Sequence, residues 1–102
     1  MVSNLKDTLS AEIQNTKVLV YSKSYCPYCV DAKNIFKSKG VEFVAHELDN
    51  MPNGGEIQST LASMTNQRTV PQIFIGGKFI GGCSELKTAE RNGQLATKLA
   101  AL

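Results

Sequence analysis

VLVYSKSYCPYCVDAKNIFK, residues Val18 to Lys37, places a short apolar run directly before a Cys-x-x-Cys and an amphipathic pattern directly after it. Val18-Leu19-Val20-Tyr21 reads as a buried strand. Beyond the cysteines, Cys29, Ala32 and Phe36 recur at i, i+3, i+7 and share one helical face, with Asp31, Lys33 and Lys37 supplying charge. The motif therefore straddles a strand-to-helix turn. Pro27 has no N–H and fixes its own φ, which suits a first helical turn, so Cys26 is expected at or just before the helix start. Its sulfur would there face unpaired backbone N–H groups. The positive end of the helix and the cation of Lys23 both favour a thiolate, which makes Cys26 the expected nucleophile. A low-pKa sulfur is also the better leaving group when a second thiol attacks a mixed disulfide on it, so the motif suits turnover rather than disulfide storage.

The rest of the chain bounds what this motif can belong to. With 102 residues the expectation is one domain, residues 1–102, large enough to fold around one core without structural disulfides. Eleven basic against nine acidic residues leave a net charge of +2, too balanced to point to nucleic acid or a membrane surface. No stretch approaches the roughly 18 apolar residues of a spanning helix, and residues 1–7 lack a leader-like apolar run. These features point to a soluble, cytoplasmic protein. Three cysteines, two of them in a Cys-x-x-Cys beside a strand and a helix, fit redox chemistry better than a secreted disulfide framework.

Outward from the motif the periodicities alternate. Leu5, Leu9 and Ile13 predict an opening helix, capped by Ser3 or Asn4. The helix after the cysteines should stop at Gly40, which accepts a left-handed closing residue. Val41 to Leu48 is predicted as a second strand. Asp49 to Gly55 reads as a loop into a helix whose buried face carries Ile57, Leu61 and Met64. Ile73-Phe74-Ile75 and Lys78-Phe79-Ile80, joined by Gly76-Gly77, form a strong hairpin signal. A last helical region begins near Cys83, with Leu86 buried, a break at Gly93, and Leu95 and Leu99 beyond it. A front strand-helix-strand unit implies parallel pairing through a right-handed crossover, and the late hairpin adds antiparallel strands.

The same residues have plainer readings. Cys26 and Cys29 form half a zinc site, but His46 and Cys83 would both have to converge on them to close it. Cys83 reads first as a small buried hydrophobe, with an oxidisable thiol as the functional alternative. His46 reads as a surface or structural histidine. Gln58 resembles any exposed helix position.

With these residues assembled, the chain resembles the dithiol glutaredoxins across essentially its whole length. Three separated signatures carry the resemblance: Lys23 with Cys26-Pro27-Tyr28-Cys29, then Arg68-Thr69-Val70-Pro71, then Gly81-Gly82-Cys83-Ser84-Glu85. The absence of Trp separates it from thioredoxins, which carry Trp before a Cys-Gly-Pro-Cys. The resemblance implies an α/β thioredoxin fold, a central four-stranded mixed sheet flanked by helices. It implies a glutathione-dependent thiol–disulfide oxidoreductase that reduces protein–glutathione mixed disulfides and protein disulfides, with glutathione as co-substrate, no metal, and a monomeric state. Cys26 and Cys29 would be catalytic. Pro71 would be a cis-proline, with Val70 and Thr69 beside it presenting backbone to glutathione. Lys23, Gln58 and Arg68 would lie near the glycine carboxylate, and Tyr28 would line the groove. Backbone N–H groups at Cys83 and Ser84, after Gly82, would meet the γ-glutamyl carboxylate. Glu85 stands where the family usually has Asp, and Asn66 where glycine is common. A second reading drawn from relatives is a dimer that holds an iron–sulfur cluster through Cys26 and glutathione; Pro27 weighs against it, because such relatives usually have a smaller, more flexible residue there.

Overall fold

The computed structural model describes residues 4–102. Its nine principal elements are α1 (Leu5–Asn15), β1 (Val18–Ser22), α2 (Pro27–Ser38), β2 (Val44–Glu47), α3 (Gly54–Thr65), β3 (Gln72–Ile75), β4 (Lys78–Gly81), α4 (Cys83–Arg91) and α5 (Gln94–Ala100). The strands form one sheet in the order β2-β1-β3-β4. β1 pairs parallel with β2 and antiparallel with β3, and β3 pairs antiparallel with β4. This is the mixed four-stranded sheet of a thioredoxin fold.

Strand alternation sorts the core into two layers. Val18 and Val20 of β1 and Ile73 and Ile75 of β3 face α2, α4 and α5, where they pack with Ala32, Phe36, Leu86 and Leu95. Leu19, Tyr21 and Phe74 point the other way, onto Leu9 and Ile13 of α1 and Ile57 and Leu61 of α3. Every residue of β1 is buried, as a central strand covered on both faces must be. Phe36 is fully enclosed, which stabilises the α2 layer by roughly 1.5–3 kcal/mol.

The element boundaries follow local chemistry. The Asn4 side chain accepts from the Lys6 N–H at 2.9 Å and caps α1; Ser3, the other cap candidate, lies outside the described residues. Gly40 closes α2 at φ 67°. Gly76 and Gly77 both have positive φ, as a tight two-residue hairpin turn requires. Gly93, at φ 82°, separates α4 from α5.

The second strand differs from its expected span. It covers Val44–Glu47 rather than Val41 to Leu48. Its register begins at Leu19 opposite Val44, and residues 41–43 do not join the sheet. Val41 and Phe43 pack against the α2 layer instead. Leu48 enters a 3₁₀ turn, Leu48–Asn50, and is buried in the opposite layer. Met64 is only partly buried at the margin of that layer.

Candidate active site

Cys26 is the N-cap of α2, with extended backbone (φ −85°, ψ 118°) and Pro27 in the first helical position. Its N–H donates to the Lys23 carbonyl at 3.1 Å and its carbonyl accepts from Val30 N–H at 3.0 Å, so its backbone is held on both sides. Upstream, Asp49 fastens the loop. The Ser24 N–H donates to Asp49 Oδ1 at 2.9 Å and the Ser24 hydroxyl donates to Oδ2. These bonds hold the Asp49 carboxyl below the usual carboxylate range, with the Lys23 ammonium acting in the same direction.

The two cysteines sit in different surroundings. Cys26 is half-buried and flanked by Tyr25 and Tyr28, both largely exposed, whereas Cys29 has no exposed surface. Burial pushes the Cys29 thiol up to about 11, and the neighbouring Cys26 adds to the rise. The backbone N–H of Lys23 and the hydroxyl of Ser22 oppose that shift. The pair thus offers one accessible sulfur and one enclosed thiol that keeps its proton at neutral pH.

Beside the motif is a pocket of about 350 Å³. Tyr28, Thr69, Val70, Pro71, Gly82, Cys83, Ser84 and Glu85 all line it, joined by Gln67. The Val70–Pro71 bond is cis. Two turns build this wall, one before β3 and one between β4 and α4, and they touch: a Cβ on Gly82 would lie 3.4 Å from the Pro71 carbonyl oxygen. Cys83 is the first residue of α4 and is 5% exposed. Burial pushes its thiol up against the opposing effect of the Lys87 ammonium, and Cys26 is near enough to contribute.

Glu85 is turned back onto its own helix end. Its Oε1 accepts from the Gly82 N–H at 2.7 Å, satisfying a donor the helix leaves open. Gln58 and Arg68 line a separate hollow of about 200 Å³, where Gln58 Nε2 donates to the Arg68 carbonyl at 2.9 Å. Lys23, half-buried on the loop into Cys26, lines neither hollow. A larger hollow of about 660 Å³ lies at the opposite end of β1, between Asn15–Val18 and Val41–Val44, away from the cysteines.

Sequence reasoning missed Gln67. Its side-chain amide donates to the Thr69 and Pro71 carbonyls, each at 3.2 Å, and so supports the pocket wall from behind. Its position next to Arg68-Thr69-Val70-Pro71 was the available signal. His46 proves structural: its Nε2 lies 2.8 Å from Glu12 Oε2, and Glu12 Oε1 accepts from the Tyr21 hydroxyl at 2.6 Å.

The glutaredoxin family model matches residues 18–80, from β1 to the hairpin, cysteines and cis-proline included. The chain belongs to the glutaredoxin family. As a glutaredoxin it is a thiol–disulfide oxidoreductase, and the Cys26–Cys29 pair places it with the dithiol members. Glutaredoxin-C6 of Oryza sativa subsp. japonica is 48% identical over 87 residues, spanning 85% of this chain and 78% of that protein. Glutaredoxin-1 of Rhizophagus irregularis is 45% identical over 101 residues, which cover 99% of this glutaredoxin and all of that one. Among solved structures, the buckwheat glutaredoxin–glutathione complex superposes with a TM-score of 0.91 at 38% identity, over 94% of this chain and 87% of that chain.

Proposed function

We propose that this glutaredoxin reduces protein–glutathione mixed disulfides and protein disulfides, with glutathione as co-substrate. The observation that carries this reading is one accessible and one enclosed cysteine beside a small-molecule-sized pocket. At about 350 Å³ the pocket falls within the roughly 300–1,000 Å³ usual for small ligands. The buckwheat relative solved as a glutathione complex supports the choice of ligand.

The pocket's chemistry suits each part of the tripeptide. Val70, ahead of the cis-proline, offers its backbone to the peptide as one added strand residue would. The first turn of α4 leaves the Cys83 and Ser84 N–H groups without intrahelical acceptors, and these receive the γ-glutamyl carboxylate. Glu85, engaged with Gly82, fixes that turn rather than reaching outward. Lys23, Gln58 and Arg68 are assigned to the glycine carboxylate, and the Gln58–Arg68 hydrogen bond ties the last two together.

In the first step the Cys26 thiolate attacks the glutathione sulfur of the mixed disulfide. The protein thiolate leaves and glutathione remains on Cys26. A second glutathione thiolate then attacks that glutathione sulfur, releasing glutathione disulfide and the Cys26 thiolate. On the dithiol route, Cys29 loses its proton and attacks Cys26 instead, closing the internal disulfide and releasing reduced glutathione. That second route serves ordinary protein disulfides. A cytoplasmic setting, where glutathione keeps thiols reduced, suits both routes, with the protein working as a monomer.

The test follows glutathione release from a glutathionylated peptide by the wild type, Cys26→Ser and Cys29→Ser. Cys26→Ser should be inactive and Cys29→Ser should retain release. Loss of release in a well-folded Cys29→Ser protein would overturn the assignment.

A further inference from the structure

The turn that joins β1 to the nucleophile contributes no residue to either core layer. Cys26 N–H donates to the Lys23 carbonyl at 3.1 Å, which makes Lys23-Ser24-Tyr25-Cys26 a β-turn with Ser24 and Tyr25 at its centre. Neither central residue is packed: Ser24 is exposed, and Tyr25 is 70% exposed. Cys26 caps α2 with no side-chain hydrogen bond. The turn is instead held by the segment that ends and follows β2. Glu47 takes the end of β1, accepting from the Ser22 hydroxyl through Oε1 at 2.6 Å and from Lys33 Nζ through Oε2 at 2.8 Å. Asp49, two residues on, takes the turn itself. Its Oδ1 accepts from the Ser24 N–H at 2.9 Å and its Oδ2 accepts from the Ser24 hydroxyl.

Asp49 can anchor the turn because its own backbone is fixed. It belongs to the 3₁₀ turn Leu48–Asn50, and Leu48 is buried in the layer that holds Ile57 and Leu61 of α3. The Met51 N–H closes this turn onto the Leu48 carbonyl at 3.3 Å, and the Gly54 N–H donates to the Met51 carbonyl at 3.1 Å. Gly54, the first residue of α3, lies so close that a Cβ on it would stand 1.8 Å from the Leu48 carbonyl oxygen. The carboxylate is thus presented from a tightly packed junction of β2 and α3. Accepting both donors of one residue through its two oxygens, it fixes that residue's orientation as well as its position. Those bonds also keep the carboxyl below the usual range, so the clamp stays ionised at neutral pH.

We propose that Asp49 is a positioning residue for the Cys26 nucleophile: by clamping Ser24 it holds the Lys23–Cys26 turn, and with it the Cys26 sulfur, in register with the glutathione pocket. The proposal rests on Cys26 being the attacking sulfur. That sulfur must line up with the disulfide bond it breaks, while the pocket walls come from other segments, the turn before β3 and the turn between β4 and α4. Two separate bodies therefore have to be kept in register. Pro27 restrains the chain on one side of Cys26, and Asp49 restrains it on the other. A misplacement of about 1 Å can cost on the order of 100-fold in rate, and a turn that is loosened rather than displaced loses part of that. Asp49 lines no part of the pocket, so its effect reaches the reaction through Ser24. A carboxylate acting only as a charge would work the other way, because its removal would favour an anionic thiolate and an anionic ligand.

The experiment mixes the fully reduced protein with a glutathionylated peptide over a range of concentrations and times release of the peptide thiol in a single turnover after an acid quench. In Asp49→Ala, which removes both bonds, the saturating rate should fall about tenfold, and the half-saturating concentration should move less because the pocket walls are intact. Ser24→Ala keeps the N–H bond and should lose less. The double variant should be no slower than Asp49→Ala, since the same contact is already gone. Ser24→Thr, which keeps the hydroxyl, should match the wild type. A lower Tm with an unchanged saturating rate would make Asp49 merely structural and overturn the proposal. Faster release in Asp49→Ala would show a charge effect, and additive losses in the double variant would show two independent roles; either overturns the clamp. A wild type that never releases the peptide would instead remove Cys26 as the attacking sulfur, and the clamp with it.

Discussion

Gln67 Nε2 lies 3.2 Å from the Pro71 carbonyl oxygen and donates to it, fastening the turn that carries the cis bond to the end of α3. The same amide reaches the Thr69 carbonyl, and the buried Gln72 side chain grips the Gln67 and Thr69 carbonyls from below. A wall of the pocket is thus held by two glutamine amides in addition to the packing of Val70 on the core. Gln67→Ala removes two hydrogen bonds while leaving the cysteines untouched. At about 1 kcal/mol of net effect, KM for a glutathionylated peptide should rise roughly fivefold with kcat little changed. Steady-state kinetics checks this, and an equal fall in kcat would argue against a role in holding the ligand wall.

Gly81 and Glu85 set the opposite wall. Gly81 has φ 122°, and a Cβ there would meet the Glu85 side chain at 2.7 Å, the same side chain that caps Gly82. Gly81→Ala therefore strains the backbone and displaces the cap together. It should destabilise the protein by about 1–3 kcal/mol for the backbone conformation alone. Glu85→Ala loses only the cap and should cost about 1 kcal/mol, a fall of roughly 4–8 °C in Tm for a chain of this size. Thermal unfolding should rank them with Gly81→Ala as the less stable.

Stability should decline on the alkaline side. The folded state holds the Cys29 thiol at about 11 against an ordinary 9.0, and it shifts the Tyr21 phenol upward from 10.0, first through burial and then through Glu12. Groups raised on folding bind their protons more tightly in the native state, so their contribution is complete below about pH 9 and is lost as pH climbs toward 11. Denaturant midpoints should be lower at about pH 10.5 than at about pH 8. Tyr21→Phe removes the phenol and should show a shallower decline; an equal decline would exclude Tyr21 as a contributor.

Much of this was legible in the chain because it depends on near neighbours. The strand before Cys26, the face shared by Cys29, Ala32 and Phe36, the Gly76-Gly77 turn and the breaks at Gly40 and Gly93 all follow from local chemistry, and all are present. What sequence did not show depends on pairing between distant segments. Where β2 begins is decided by the register of Leu19 with Val44, not by the apolar character of Val41 and Phe43. Gln67 reads as an ordinary polar loop residue until the turn folds back on it. Ser22, Lys33 and Glu47 become one group only through strand pairing and a helix that crosses above it.

The enclosure of Cys29 has a consequence for damage as well as for turnover. A small oxidant arriving from solvent meets a single sulfur, because the second is roofed over and almost wholly protonated at neutral pH. An injury at the outer atom therefore leaves the inner one intact behind it, able to attack a singly oxygenated outer sulfur, expel its oxygen as water and close a reducible disulfide. The lower thiol guards the upper against further, irreversible oxidation.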